Sequence, residues 1–200
     1  MRLIRLSLCY LLFTGMLFIM QNLSVCVYCG SRVGNDPQYK ADADALGQAL
    51  AKAKMRLVYG AGDIGLMGTV ARATQGAGGD VMGIIPTHLM KREVGRVELT
   101  QFIVTENMHE RKKVMFMNSD AVVVLPGGAG SLDEFFEVLT WAQIGLHSKP
   151  IFVLNTNGYW SPLMSLIDHT IANGFADENL KSLFVVKDSV PDLMAALSAL

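Results

Sequence analysis

A chain of 200 residues, half of them hydrophobic and 19 of them glycine, is long enough for one globular domain with a sizeable core, and its composition excludes a disordered or fibrous protein. Seventeen basic residues stand against eighteen acidic ones, and the one local charge run, Glu110-Arg111-Lys112-Lys113, is too short to track a phosphate backbone, so no nucleic-acid partner is expected. Three cysteines are too few, and odd in number, for a disulfide framework.

The N-terminus comes first in chain order and fits the rest least well. Arg2 and Arg5 precede an apolar run from Leu6 to Met20. Three readings stand. A signal peptide has this order of charge and hydrophobicity, although no small-x-small cleavage site precedes Asn22. A membrane span needs ~20 apolar residues, more than the run supplies. The third reading is a dispensable or upstream-start extension, with the working chain beginning at Met20. Residues 1–22 are therefore set apart as a hydrophobic extension and residues 23–200 as the folded domain. That domain is expected in the cytoplasm with no membrane partner; the extension leaves secretion or membrane association open.

From Leu23 onward, short apolar runs alternate with helical patterns, the order of a parallel α/β sheet. Strands are expected at Ser24–Cys29, Leu57–Tyr59, Val81–Ile85, Phe102–Val104, Ala121–Leu125, Ile151–Leu154 and Leu183–Val186. Most are continuous Val/Ile runs, as in strands covered on both faces. Asp36-Pro37 starts the first helix as cap and first-turn proline, and Ala43, Leu46, Leu50 and Ala53 then recur on one face. Further helices are expected over 66–75, 108–118, 132–144, 159–172 and 191–199. The fold class is a single Rossmann-like, doubly wound parallel sheet of seven strands, in which ligands bind beyond the C-terminal strand ends. Cys26 and Cys29 form a C-x-x-C, but three apart on a strand they point to opposite faces, which favours two core residues over a redox or metal pair.

Three glycine-rich loops follow strands. Gly30-Ser31 is by itself only a turn. Gly60-Ala-Gly62-Asp-Ile-Gly65 fits G-x-G-x-x-G between strand and helix, yet a dinucleotide site also needs an acid at the C-terminal end of the next strand. Asp80 stands at the start of that strand instead. Gly62 and Gly65 are left to a nucleotide monophosphate or to close helix–strand packing. Pro126-Gly-Gly-Ala-Gly130 runs from a buried strand into Ser131-Leu-Asp-Glu134. Its glycines let backbone N–H groups face an anion, and the helix start adds its dipole. Ser131 and Glu134 also fit a capping box, which by itself needs no glycines.

The segment Pro126–Glu134 resembles the PGGxGTxxE motif of the Lonely Guy family, the cytokinin riboside 5′-monophosphate phosphoribohydrolases, once labelled lysine decarboxylase-like. The resemblance extends through Val25–Ser31, Leu57–Gly68, Met108-His-Glu-Arg-Lys112, and Trp141–Gly145 with Lys149-Pro150. It implies a Rossmann-like homodimer with no metal and no redox cofactor, acting on AMP or isopentenyl-AMP. It carries the catalytic pair onto Arg111 and Glu134, and substrate binding onto Gly127, Gly128, Ala129, Gly130 and Ser131, with Met108, Lys112, Gly30 and Ser31 alongside. Ser131 stands where the family has Thr, and Ala129 where a larger residue is common.

Cleaving an N-glycosidic bond passes through a cation-like ribose, which calls for a phosphate anchor and a carboxylate near the anomeric carbon. Glu134 is the expected carboxylate. Arg111 stays protonated in proteins and serves to hold phosphate or ribose, or to orient Glu134. The alternative is a nucleotide or cofactor carrier with no turnover, in which a carboxylate beside the phosphate would have no use. A pyridoxal-phosphate decarboxylase is the third reading and lacks a recognisable cofactor lysine. The four histidines show no metal-ligand spacing.

Overall fold

Along a strand, alternate side chains face opposite ways, and in this protein both sides of the sheet are covered. The structure is a computed structural model that describes residues 22–90 and 99–200; the readings of residues 1–21 lie outside them. The strands are β1 (Ser24–Tyr28), β2 (Arg56–Tyr59), β3 (Val81–Pro86), β4 (Gln101–Thr105), β5 (Ala121–Val124), β6 (Ile151–Leu154) and β7 (Val185–Lys187). The helices are α1 (Pro37–Lys52), α2 (Gly65–Gly76), α3 (Met108–Met117), α4 (Ala129–Gln143), α5 (Ser161–Ala172) and α6 (Val190–Leu197). Val25, Val27, Leu57 and Val123 point into one apolar layer closed by α1, α2 and α6. Cys26, Tyr28, Val58 and Val122 point into the other, closed by α3, α4 and α5. Cys26 and Cys29 fall in opposite layers, and burial pushes both thiols above their usual range.

Every strand pairing is parallel, in the order β4-β3-β2-β1-β5-β6-β7. The chain builds outward from β1 to β4, then returns to lay β5 against the other side of β1. The strand order reverses there, and the loops after β1 and β5 diverge to opposite faces, leaving a crevice between them. Among the described residues no helix is long and apolar enough to cross a membrane.

Local chemistry sets the element ends. Asp36 caps α1 by accepting from the Gln38 N–H, with Pro37 in the first turn. Asn107 and Ser189 cap α3 and α6 in the same way. Some expected boundaries shift. Ala53 is an exposed C-cap of α1, and Gly47 takes its place on the buried face. The last strand begins at Val185, because residues Glu178–Leu183 form a 3-10 helix that turns Leu180 and Phe184 into the core.

Gly47 lets α1 and α2 approach closely. A Cβ there would stand 2.5 Å from the Val70 carbonyl oxygen and 2.8 Å from the Ala73 Cβ. Alanine in place of a mid-helix glycine ordinarily stabilises by ~1 kcal/mol, but here the obstacle is backbone. Gly47→Ala is expected to destabilise the fold by about 1–3 kcal/mol, the usual range for overpacking; urea unfolding monitored by circular dichroism measures it.

Candidate active site

The reversal between β1 and β5 joins two of the glycine loops. The Leu125 N–H donates to the Tyr28 carbonyl at 2.9 Å, and the Gly30 N–H donates to the Pro126 carbonyl at 3.0 Å. Over this seam opens a cavity of about 550 Å³, lined in part by Gly30, Ser31, Met108, Arg111, Ser131 and Glu134.

The cradle is the start of α4. Gly128 is the N-cap, in an extended conformation with φ −95°, and no side chain caps the helix. The N–H groups of Gly128, Ala129, Gly130 and Ser131 have no acceptor among the described residues. A helix start with open donors and a favourable dipole is an anion site. Gly128 and Gly130 have open space over their Cα atoms, so a ligand can reach the backbone, whereas a Cβ on Gly127 would collide with the Ser131 side chain. The capping-box reading of Ser131 and Glu134 therefore fails. The helix begins at Ala129, three residues earlier than expected, and Ser131 is a buried first-turn residue lying over Gly127.

Arg111 is buried on α3, with its guanidinium held by backbone oxygens of β3 and of the loop after β2: Nε donates to Ile84 O at 3.1 Å and Nη2 to Gly60 O at 2.5 Å. Its Nη1 lies 3.7 Å from the Met108 sulfur at the cavity wall. Glu134 follows Gly130 by four residues, so both share one face of α4, and helical side chains lean toward the N-terminus. Its carboxylate makes no hydrogen bond among the described residues. Burial pushes its pKa from 4.5 to about 7; Arg111 and Lys112 draw it down, and Asp133 and Glu137 push it up. At neutral pH it is therefore poised between its two forms, as acid–base groups in active sites are.

The structure does not bring every expected residue to the cavity. Lys112 turns away, pairing with Asp133 at 2.9 Å and Glu137 at 3.2 Å, and it ties α3 to α4. Burial lowers its pKa, but these two carboxylates outweigh burial and leave it raised. Gly62 and Gly65 do not line the cavity either. Gly65, at φ +65°, packs against the Ser31–Arg32 backbone, and the first donors of α2, Leu66 N and Met67 N, are directed at the Gly30 carbonyl. That helix start is filled by protein, which also disposes of a dinucleotide site. Asp80 pairs with Arg56 at the far end of the sheet. Gly60 is the glycine of this loop that the site needs, because a Cβ there would overlap the Arg111 guanidinium. Its place as the first glycine of the G-x-G-x-x-G was the available signal. Tyr39 and Tyr159 also line the cavity, and nothing in their local sequence marked them.

The chain matches the family described as "Possible lysine decarboxylase" over residues 67–197. It is 42% identical to the cytokinin riboside 5′-monophosphate phosphoribohydrolase of Rhodococcoides fascians, over 87% of this chain and 88% of that one. It is also 42% identical to cytokinin riboside 5′-monophosphate phosphoribohydrolase LOG5 of Arabidopsis thaliana, over 88% of this chain and 77% of that one. Among solved structures, the molybdenum cofactor binding protein of Rippkaea orientalis superposes with a TM-score of 0.69 at 22% identity, covering 90% of this chain and 98% of that one. That likeness establishes the fold alone.

The raised Glu134 pKa carries a sign for stability. The folded state binds this proton more tightly than the unfolded chain does. Stability from this group is thus highest below pH 4.5, falls as pH rises to about 7, and stays lower above that. Glu134→Gln, which cannot ionise, is expected to gain thermal stability over the parent at pH 8 and to match it closely at pH 4. Paired calorimetric melts at the two pH values check this.

Proposed function

The chain belongs to the Lonely Guy family of cytokinin riboside 5′-monophosphate phosphoribohydrolases, and on that premise we propose that its cavity takes AMP or N6-modified AMP and divides the hydrolysis among Glu134, Arg111 and the first turn of α4. The enzyme is a hydrolase that cleaves the N-glycosidic bond of the nucleotide and releases free base and ribose 5-phosphate. The observation that carries the assignment of roles is the placement of Glu134, a carboxyl poised near pH 7 one turn beyond four unpartnered N–H groups.

The 5′-phosphate rests on the N–H groups of Gly128 to Ser131, and this remote binding energy holds the anomeric carbon in place. As the bond from C1′ to the base breaks, its electron pair leaves with the base and positive charge gathers on the ribose ring. Ionised Glu134 faces that charge and takes a proton from the water whose oxygen bonds to C1′; the departing base takes up a proton from solvent, and Glu134 then gives its own back to solvent. Arg111 keeps Glu134 ionisable next to a phosphate and bounds the ribose side with Met108. A pure carrier would gain nothing from Glu134, since a carboxylate close to the anion weakens its binding.

Incubation with AMP and with N6-isopentenyl-AMP, followed by chromatography, should show adenine or isopentenyladenine with an equal amount of ribose 5-phosphate. Release of neither base removes the assignment. Glu134→Gln is expected to abolish turnover while still binding AMP, and Arg111→Ala to cut kcat/KM by ~100-fold or more, the scale of losing one preorganised electrostatic group. The rate of the parent enzyme should rise with pH along a limb near pH 7 as Glu134 ionises; a rate flat from pH 5 to 9 contradicts its role.

The same reading includes a homodimer. Ile144 and Leu146, just past α4, are 64% and 68% exposed, and Met117 at the end of α3 is 67% exposed, a concentration of surface apolar residues that suits a subunit contact. Sedimentation equilibrium should give twice the mass of one chain, and Leu146→Asp should lower the association constant; an unchanged constant places the contact elsewhere.

A further inference from the structure

The Tyr159 hydroxyl donates to the Gly127 carbonyl at 2.6 Å, across 32 residues of sequence. Gly127 and Gly128 share that peptide unit. A trans peptide is planar, so its C=O and N–H point in opposite directions. Fixing the Gly127 oxygen therefore fixes the direction of the Gly128 N–H, which has no acceptor among the described residues and belongs to a cavity-lining residue. With glycine on both sides, this peptide has more rotational freedom than any other in the loop. Gly128 has open space over its Cα, and among the described residues the Tyr159 hydroxyl makes the hydrogen bond to this peptide's carbonyl.

Tyr159 is itself firmly held. Its ring meets Tyr39 edge-on at 5.3 Å and Trp160 at 4.8 Å. The turn before it is pinned to the start of α1: Thr156 Oγ1 donates to Asp42 at 2.6 Å, and the Asn157 amide donates to Asp36 at 2.8 Å. Asn157 adopts φ +51° to make that turn. A rigid strut thus runs from α1 through the Thr156–Tyr159 turn to the loop before α4.

We infer that Tyr159 is a positioning residue for the phosphate cradle: its hydroxyl holds the Gly127–Gly128 peptide so that the Gly128 N–H is preset for a phosphate oxygen. This rests on the phosphate lying at the start of α4. Tyr159 acts through the Gly127–Gly128 peptide, so its effect should fall on phosphate affinity and leave the chemical step alone.

Tyr159→Phe keeps the ring and removes the hydroxyl. The KM for AMP and the inhibition constant of ribose 5-phosphate are each expected to rise about tenfold, the loss of one well-made hydrogen bond. Inhibition by adenine should stay unchanged, and kcat should stay within about threefold. Equal weakening of adenine and ribose 5-phosphate, or no weakening of ribose 5-phosphate, overturns the inference. Gly128→Pro deletes the N–H itself and should weaken ribose 5-phosphate likewise. The double variant should then lose little more than either single one, because both remove the same interaction; additive losses overturn the coupling. If Gly128→Pro folds and leaves ribose 5-phosphate inhibition unchanged, the phosphate site itself is misplaced. That failure is distinct from one in which Gly128→Pro weakens inhibition and Tyr159→Phe does not.

Discussion

A helix must leave its first N–H groups without partners inside the helix, and at the start of α4 no side chain steps in to serve them. Much of the site follows from that vacancy. Gly128 and Gly130 expose backbone, Gly127 yields room to Ser131, and Glu134 stands one turn along the same face. The sheet brings this helix start to the only place where it is useful. Because β5 returns to the side of β1, the loop after it opens into the crevice where the strand order reverses, alongside Gly30. The start of α2 shows the contrast: its first donors are directed at a protein carbonyl.

The central strands could be read from sequence because they are covered on both faces and so show as apolar runs, whereas the edge strands β4 and β7 are partly exposed; Ala121–Val124 is a clear instance of the first, buried throughout. The glycine loop after it could be read as a strand-to-helix turn, and the structure leaves open space over Gly128 and Gly130 in it. The errors have a common source in contacts that local pattern does not encode. Ser131 and Glu134 have capping-box spacing, yet the helix starts at Ala129, so the serine lies inside the first turn. Lys112 looks like a partner of Arg111 in sequence, but successive residues on a helix point about 100° apart, and its ammonium reaches α4 instead of the cavity. Gly60 is required by a side chain 51 positions away, and Tyr159 acts on a loop 32 positions before it. The glycine motif marks Gly60 without naming its partner, and nothing local marks Tyr159.

Proteins that carry a cofactor share this fold, so the fold does not decide between carrying and cleaving. The distinction lies in what the site does against its own stability. A carboxyl buried beside a phosphate cradle costs the folded state free energy as it ionises, and it weakens the binding of the anion next to it. Both costs are without return in a carrier. In a hydrolase they have a function, because the same negative charge is needed when the ribose turns positive.

In the proposed mechanism Arg111 reconciles these opposing demands. A phosphate dianion at the start of α4 raises the pKa of a nearby carboxyl, which would leave Glu134 protonated and inert once the substrate arrives. A fixed cation close by opposes that shift. Fixing it is the difficulty, since a buried guanidinium needs acceptors that do not neutralise it. A carboxylate partner would satisfy its donors but cancel its field at Glu134. The carbonyl oxygens of Gly60 and Ile84 satisfy two of its donors without a formal charge, and its charge draws the Glu134 pKa down. The absence of a side chain at Gly60 follows from this arrangement: the loop after β2 gives up its Cβ so that the cation can sit against β3 and this loop, which in the proposed mechanism lets the carboxylate ionise beside the phosphate.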